Sequence, residues 1–369
     1  MLNPFKPTAG AMPHALIGRD AVLLDFEASL ENGPGAPGLL RLYSGARGTG
    51  KTVMLAATRK AAEQHGWASI SDTAIPGLAS RLCVQANEKA SELKGHRLPR
   101  IESISLPQVL GGGGVTFAPR PETMLDLRLS VGALLDLLEK KSAGLLITVD
   151  EVHRKAREDL VALATAFQHL VTEGRSVGLA LAGLPSAVSD LLNDDVLTFL
   201  RRAQPCTLAS VSVSAVRDSF ARAFAAGRIE ADPAALDEGS VATNGYPFMV
   251  QLVGYHLWQN SERGRLERSA AGPAIRAARE QFESSVLEAA LVNLSEGDRA
   301  YLAVMAQDDG PSLTNELASR LNKRPDTAAQ TRLRLLAAEV ITPARRGQVD
   351  FAIPYLREYI RAQAADLDT

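Results

Sequence analysis

Short apolar runs alternate with amphipathic stretches along the first 210 residues or so. The run Leu39-Leu40-Arg41-Leu42-Tyr43 is bounded by glycine-rich segments and has the length of a buried strand. Residues 67–70, 145–149 and 178–182 repeat that signature. Between them the apolar spacing is helical: residues 20–30, the Ala-rich VMLAATRKAAEQ, residues 124–141, and a stretch marked by Leu160, Leu163, Phe167, Leu170 and Val171. In the 124–141 pattern Leu125, Leu129, Val131, Leu134, Leu135 and Leu138 are expected on one buried face. Strands and helices alternating at this pitch predict an α/β fold, a parallel sheet with helices on both faces. Residues 83–120 fit neither period and read as an insertion, a loose hairpin around the glycines at 111–114. After residue 208 strand signals stop, and 209–294 read as all-helical. Beyond 294 come helices at 294–305 and 313–321, then a third to residue 340, capped by Asp326 or Thr327. A hairpin at 341–351 around Gly347 completes the sequence shape of a winged helix-turn-helix.

Candidate chemistry is concentrated just after the first strand. Gly45-Ala46-Arg47-Gly48-Thr49-Gly50-Lys51-Thr52 matches G-x-x-x-x-G-K-[ST] at every defined position, with a strand before it and a helix after it. Glycines let backbone N–H groups curl around a phosphate, and the helix N-terminus adds partial positive charge. Lys51 is expected on the β/γ oxygens and the Thr52 hydroxyl on Mg²⁺. Asp150 and Glu151 follow the run Leu145-Leu146-Ile147-Thr148-Val149. A strand buried on both faces delivers such carboxylates to the carboxyl edge of the sheet, beside the glycine loop. Asp150 is then the Mg²⁺ carboxylate, and Glu151 polarises the attacking water in ATP hydrolysis.

A P-loop, a strand ending in two acids, a further strand and a helical lid together resemble the AAA+ and STAND ATPases. The likeness extends over roughly residues 15–360. Leu16-Ile17-Gly18-Arg19-Asp20 is similar to the hhGR[DE] box of that group, which implies adenine contacts for Ile17, Gly18 and Arg19. Asn244-Gly245-Tyr246-Pro247-Phe248 resembles the G-x-P element of the STAND lid, which implies a nucleotide contact for Pro247. GYPFMVQLVGYHLW and the C-terminal helices resemble ATPases of the origin-recognition/archaeal-ATPase group. Arg201 and Arg202 stand where the resemblance implies an arginine finger reaching a neighbouring subunit, and hence a nucleotide-dependent homo-oligomer. Two departures are visible. The fourth strand ends Leu181-Ala182-Gly183-Leu184-Pro185-Ser186, with Gly183 nearest the position of a polar sensor and Ser186 its only substitute. Phe248 occupies the slot of the lid arginine of initiators. Both departures imply slow turnover.

Composition narrows this further. With 40 Lys and Arg against 42 Asp and Glu, the net charge is −2, so any nucleic-acid binding must come from a local patch. Residues 320–346 supply one. Arg320, Lys323, Arg324, Arg332, Arg334, Arg345 and Arg346 outnumber Asp326 and Glu339 by five charges. Gln330, Thr331 and Arg334 are base-edge candidates for DNA, and Arg345 and Arg346 phosphate contacts. Cys83 and Cys206 lie too far apart in sequence, each without a neighbouring thiol, for a disulfide framework or a zinc site. The six histidines show no metal-ligand spacing. No apolar run approaches a membrane span and the N-terminus has no signal-peptide core, so a cytoplasmic location with no membrane partner is expected.

The expected organisation is an N-terminal arm with the adenine segment at 1–35, a P-loop core at 36–208, a helical lid at 209–293 and a winged helix at 294–369. The expected function is a nucleotide-gated, slow ATPase using ATP/ADP and Mg²⁺, with DNA binding by the winged helix. The alternatives are a slow or non-hydrolysing nucleotide switch whose winged helix docks a protein, and a small-molecule kinase.

Overall fold

The computed structural model describes residues 2–8, 10–13, 15–95 and 126–367, with backbone alone for 365–367. The glycines at 111–114 and the hairpin expected around them lie outside the described residues, as do Leu125, His14 and His96. An irregular arm precedes α1 (Asp20–Asn32), β1 (Leu40–Ser44), α2 (Lys51–Gln64) and β2 (Ala68–Thr73). The chain continues through α3 (Leu78–Leu93), α4 (Leu127–Leu138), β3 (Leu145–Val152), α5 (Arg157–Thr172), β4 (Val177–Gly183), α6 (Pro185–Leu192) and β5 (Gln204–Thr207).

These five strands form one parallel sheet in the order β2-β3-β4-β1-β5. Alternate residues of its central strands feed two cores, as the period of a strand requires. Leu42, Ile147, Val149, Leu179 and Leu181 face the helices α3 to α5. Tyr43, Leu146, Ala180 and Ala182 face Phe26 and Leu30 of α1 and Met54 and Leu55 of α2. Arg41 interrupts the apolar run of β1 yet is only 2% exposed, and it is neutralised by Asp25 of α1 at 2.6 Å. Because every strand runs the same way, β1, β3 and β4 end on one edge. That edge, where the strand order reverses beside β1, is where a ligand crevice forms.

The second half contains α7 (Val213–Ala226), β6 (Glu230–Ala231), α8 (Pro233–Ala242), α9 (Pro247–Gln259), β7 (Arg265–Leu266) and α10 (Ala271–Phe282). A π-turn at Glu283–Leu287 joins α10 to α11 (Glu288–Leu291). The reading of this part as all-helical misses β6 and β7, which pair in parallel over two residues each. Last come α12 (Glu296–Ala306), β8 (Ser312–Leu313), α13 (Thr314–Arg320), α14 (Pro325–Ala337), β9 (Ile341–Pro343), β10 (Gln348–Phe351) and α15 (Leu356–Leu367). The three strands form an antiparallel sheet, β8-β10-β9. A single apolar cluster runs from α7 through α10 into α12, α14 and β9, so these helices and the C-terminal segment share one core.

Four expectations are corrected. The start of the presumed insertion belongs to α3, whose buried residues are Leu78, Leu82, Cys83, Ala86 and Ala90. Beyond residue 83 only small alanines carry the buried face, so its apolar signal is weak. Leu129 is 70% exposed, because the phase set by the Asp126 cap buries Leu127, Val131, Leu134 and Leu138 on the other side of α4. Neither Asp326 nor Thr327 caps α14: Arg324 holds the cap position without a side-chain bond, and Pro325 opens the helix. Finally, α15 follows the hairpin unannounced, packing Leu356 and Ile360 into the shared core.

Candidate functional site

From Ser44 the chain turns through the glycine loop into Lys51, the first residue of α2. No side chain caps α2, so the N–H groups of its first turn are donors without helical partners. Lys51 Nζ donates to the carbonyl oxygens of Gly45 at 2.6 Å and Ala46 at 2.9 Å. Burial pulls its ammonium below the ordinary lysine value, against the attraction of Glu339, Asp150 and Glu151. Thr52 Oγ1 donates to Asp150 Oδ2 at 2.5 Å, which joins the loop to β3 across the intervening β4.

A bulge aims the two acids. Val149 pairs with Leu181 and Val152 with Gly183, so β3 carries one residue more than β4 over this interval. Asp150 and Glu151 occupy the interval, and Glu151 sits at φ +54°, a conformation costly for a side-chain-bearing residue. Asp150 Oδ1 accepts from the Glu151 N–H at 2.8 Å. Strain of this kind persists where the surrounding structure over-determines it, and here it turns an exposed carboxylate toward the crevice.

A cavity of about 920 Å³ opens at this edge. Arg47, Gly48, Thr49, Gly50, Lys51 and Thr52 line it, with Asp150, Glu151 and His153. So do Ile17 and Arg19, while Gly18 instead packs its backbone on Val211. Pro247 and Phe248 close it from α9. Gly45 and Ala46 do not line it; their carbonyls hold Lys51. The size and mixed lining suit a nucleotide-sized ligand. The oxygen donors Thr52 and Asp150, already in contact, fit a hard divalent cation that keeps waters and substrate oxygens as its other ligands.

Of the other predicted residues, Gly183 lines the cavity and the rest do not. Gly183 ends β4 where a Cβ would strike Val152, so no side chain fits there. Ser186 does not line the cavity, and Leu184 and Ala187 do, so the end of β4 offers no polar group. Arg201 and Arg202 are exposed on a 3₁₀ turn, Thr198–Arg202, and Arg201 Nε donates to Leu192 O at 2.8 Å. In the C-terminal segment Thr331 is 4% exposed and accepts from Arg334, which is itself paired with Asp298 at 2.7 Å. The structure therefore removes Thr331 from the candidate base-reading set and ties Arg334 to its own scaffold. Arg320 is likewise held by Asp308 at 2.8 Å. Gln330, Arg345 and Arg346 are exposed. Among the described residues neither arginine of the β9–β10 turn forms an ion pair.

Several residues at the cavity carry no motif. Phe5 of the arm is 5% exposed and meets Phe220 edge-on at 5.4 Å. Its ring fills a notch at Gly254, where a Cβ would collide with it. This pins the arm so that Lys6, Thr8 and Gly10 form a wall of the cavity. A lone phenylalanine between prolines was the available signal. The His153 ring lines the cavity with a buried, unpartnered Nδ1. Tyr246 Oη donates to Arg47 O, and burial, then the neighbouring Glu339, raise its phenol. Glu339, between α14 and β9, lies behind the cavity lining; it is 7% exposed, and its carboxylate has no side-chain hydrogen-bond donor, only the Arg47 backbone N–H. Burial pushes its carboxyl up to about 7, opposed by the nearby cations Lys51 and Arg47.

The model of a domain of unknown function, DUF8462, matches residues 284–360. No curated protein matches the chain. Among solved structures, the ORC2 protein of Aeropyrum pernix in ADPNP–ADP complexes has a TM-score of 0.62 at 15% identity, covering 97% of this chain and 98% of that one. The Walker-type ATPase of Pyrococcus abyssi has a TM-score of 0.59 at 18% identity, covering 94% and 96%. The fold is that of a P-loop NTPase, an α/β core with a helical C-terminal half.

Proposed function

We propose that this chain is an ATP-binding, slowly ATP-hydrolysing P-loop ATPase of the AAA+/STAND kind, with nucleotide-gated DNA binding through a C-terminal winged helix. The observation that carries the reading is the convergence of Lys51, Thr52, Asp150 and Glu151 on one sheet edge around a nucleotide-sized cavity. The solved neighbours, one a Walker-type ATPase and one holding ADPNP and ADP, support it. Phosphate oxygens would replace the Gly45 and Ala46 carbonyls as partners of Lys51, and the first-turn N–H groups of α2 would cradle them. Mg²⁺ held by Thr52 and Asp150 would supply charge neutralisation on the phosphates. Glu151 would orient the attacking water, since phosphoryl transfer depends chiefly on positioning and electrostatics. Arg201 and Arg202, exposed and outside the cavity, would reach a bound phosphate only in trans, at an interface with a second copy.

Lys51→Ala is expected to abolish ATP binding, measured by calorimetry. Glu151→Gln is expected to keep binding and lose most turnover; turnover equal to the parent's removes Glu151 from its role. An Arg201→Ala, Arg202→Ala chain mixed with Glu151→Gln is expected to recover activity at mixed interfaces. A strictly monomeric species with ATPase proportional to concentration rules the finger out. A second reading, a non-hydrolysing switch whose C-terminal segment docks a protein, is favoured by the apolar end of β4 and by the internal engagement of Thr331 and Arg334. Negligible turnover with retained ADP and no DNA shift at low salt would establish it in place of the first.

A further inference from the structure

Glu339 occupies its position against three local costs. It follows the Ala338 cap of α14 in a Schellman arrangement: Val340 N–H donates to Leu335 O and Glu339 N–H to Leu336 O, both at 3.1 Å. The residue at this point takes the left-handed region, where glycine is favoured, and Glu339 holds φ +57°. It is also a buried acid, whose oxygens have no side-chain hydrogen-bond donor and only the Arg47 backbone N–H within reach. Three unfavourable features on one side chain mark a position retained for something other than stability.

The surroundings indicate what that is. The cations near the carboxylate are Lys51 and Arg47, both of the glycine loop, and the third polar neighbour is the Tyr246 phenol. Tyr246 Oη is itself bonded to Arg47 O. The turn bearing Glu339 is fixed by Leu335 and Val340 in the shared core. Tyr355, further along the same segment, donates to Ala242 O and lies under the Arg279 guanidinium at 4.4 Å. The C-terminal segment is thus braced against the lid, with one carboxylate held close to the phosphate-binding cations.

We propose that Glu339 is an anionic element of the nucleotide site contributed from the C-terminal segment, standing against Lys51 and Arg47 so that phosphate binding and docking of the α14–β9 turn oppose each other. This rests on the nucleotide reading above. The carboxylate and a polyphosphate draw on the same two cations, and like charges across a partly desolvated loop repel. The opposition increases with phosphate charge, so a triphosphate loosens the turn more than a diphosphate does. By linkage, the coupling is the same seen from either side.

The test is calorimetric titration of the full chain with ADP and with ADPNP, in the parent, Glu339→Gln and Glu339→Gly. Glutamine keeps the shape and removes the charge; glycine also relieves the backbone. Both variants are expected to bind ADPNP about fivefold or more tighter than the parent, with a smaller gain for ADP. Amide exchange across residues 325–351 is expected to rise when ADPNP binds the parent and to stay unchanged in both variants. Affinities equal to or weaker than the parent's in both variants overturn the proposal. If the parent binds neither nucleotide, the nucleotide reading falls and takes this one with it. If the parent binds, Lys51→Ala does not, and both Glu339 variants match the parent, only the role of Glu339 falls.

Discussion

Glu339 also carries a pH signature that can be read without any ligand. Its carboxyl is pushed up to about 7 in the folded chain from an ordinary 4.5, because burial outweighs the pull of Lys51 and Arg47. Between those values the folded state holds a proton that the unfolded state has released, so folding is favoured by acid across this window. That stability is present in full below pH 4.5 and is lost as pH rises through about 7. The expected outcome is a parent that unfolds at lower temperature at pH 8 than at pH 5.5. The amide of Glu339→Gln should largely flatten that dependence. Tyr246 shares these surroundings, but burial raises its phenol further above this range. Equal pH dependence in parent and variant would assign the effect to other groups.

At the scale of elements, the glycine loop and the strand ending in two acids are legible because each is local: a spacing of residues and a run of apolar positions. The bulge that turns Asp150 and Glu151 is a property of the pairing between β3 and β4, and no single strand announces it. The arm is a similar case. Its prolines read as irregular chain, and only the docked position of Phe5 against α7 and α9 makes it a wall of the cavity. Phe5→Ala is expected to weaken ATP binding by about tenfold, equivalent to roughly 1.4 kcal/mol. The thermal midpoint should fall only slightly, because an arm can detach without opening the main core. Faster cleavage of residues 2–13 by a non-specific protease would accompany it. Unchanged affinity with a released arm would show that the wall is dispensable.

At the scale of the whole molecule, a net charge of −2 confines the proposed DNA affinity to the local patch, and the fold trims that patch. Arg320 and Arg334 are engaged by acids of their own segment, while Arg345 and Arg346 stand exposed at the β9–β10 turn. Replacing both with alanine is expected to weaken binding to all sequences alike and to flatten the log–log salt dependence by up to about two. A salt slope that does not move would place any DNA contact elsewhere. Removing the C-terminal segment outright is a poorer test, because helices α7 to α10 and that segment share one core.

The strand–helix alternation of the first half, the parallel sheet, the glycine loop and the acid pair were determined by the sequence alone, since each depends on spacing within a few residues or one helical or strand period. Helix phase was less secure: Leu129 and the alanine stripe of α3 are settled by which face meets a neighbour. Which arginines remain available, and which acid stands beside Lys51, were decided only by tertiary structure. An ion pair joins Arg334 to Asp298, and electrostatic attraction links Glu339 to Lys51, across dozens to hundreds of positions. Periodicity carries no information about separations of that length; packing between the C-terminal segment, the lid and the sheet edge does.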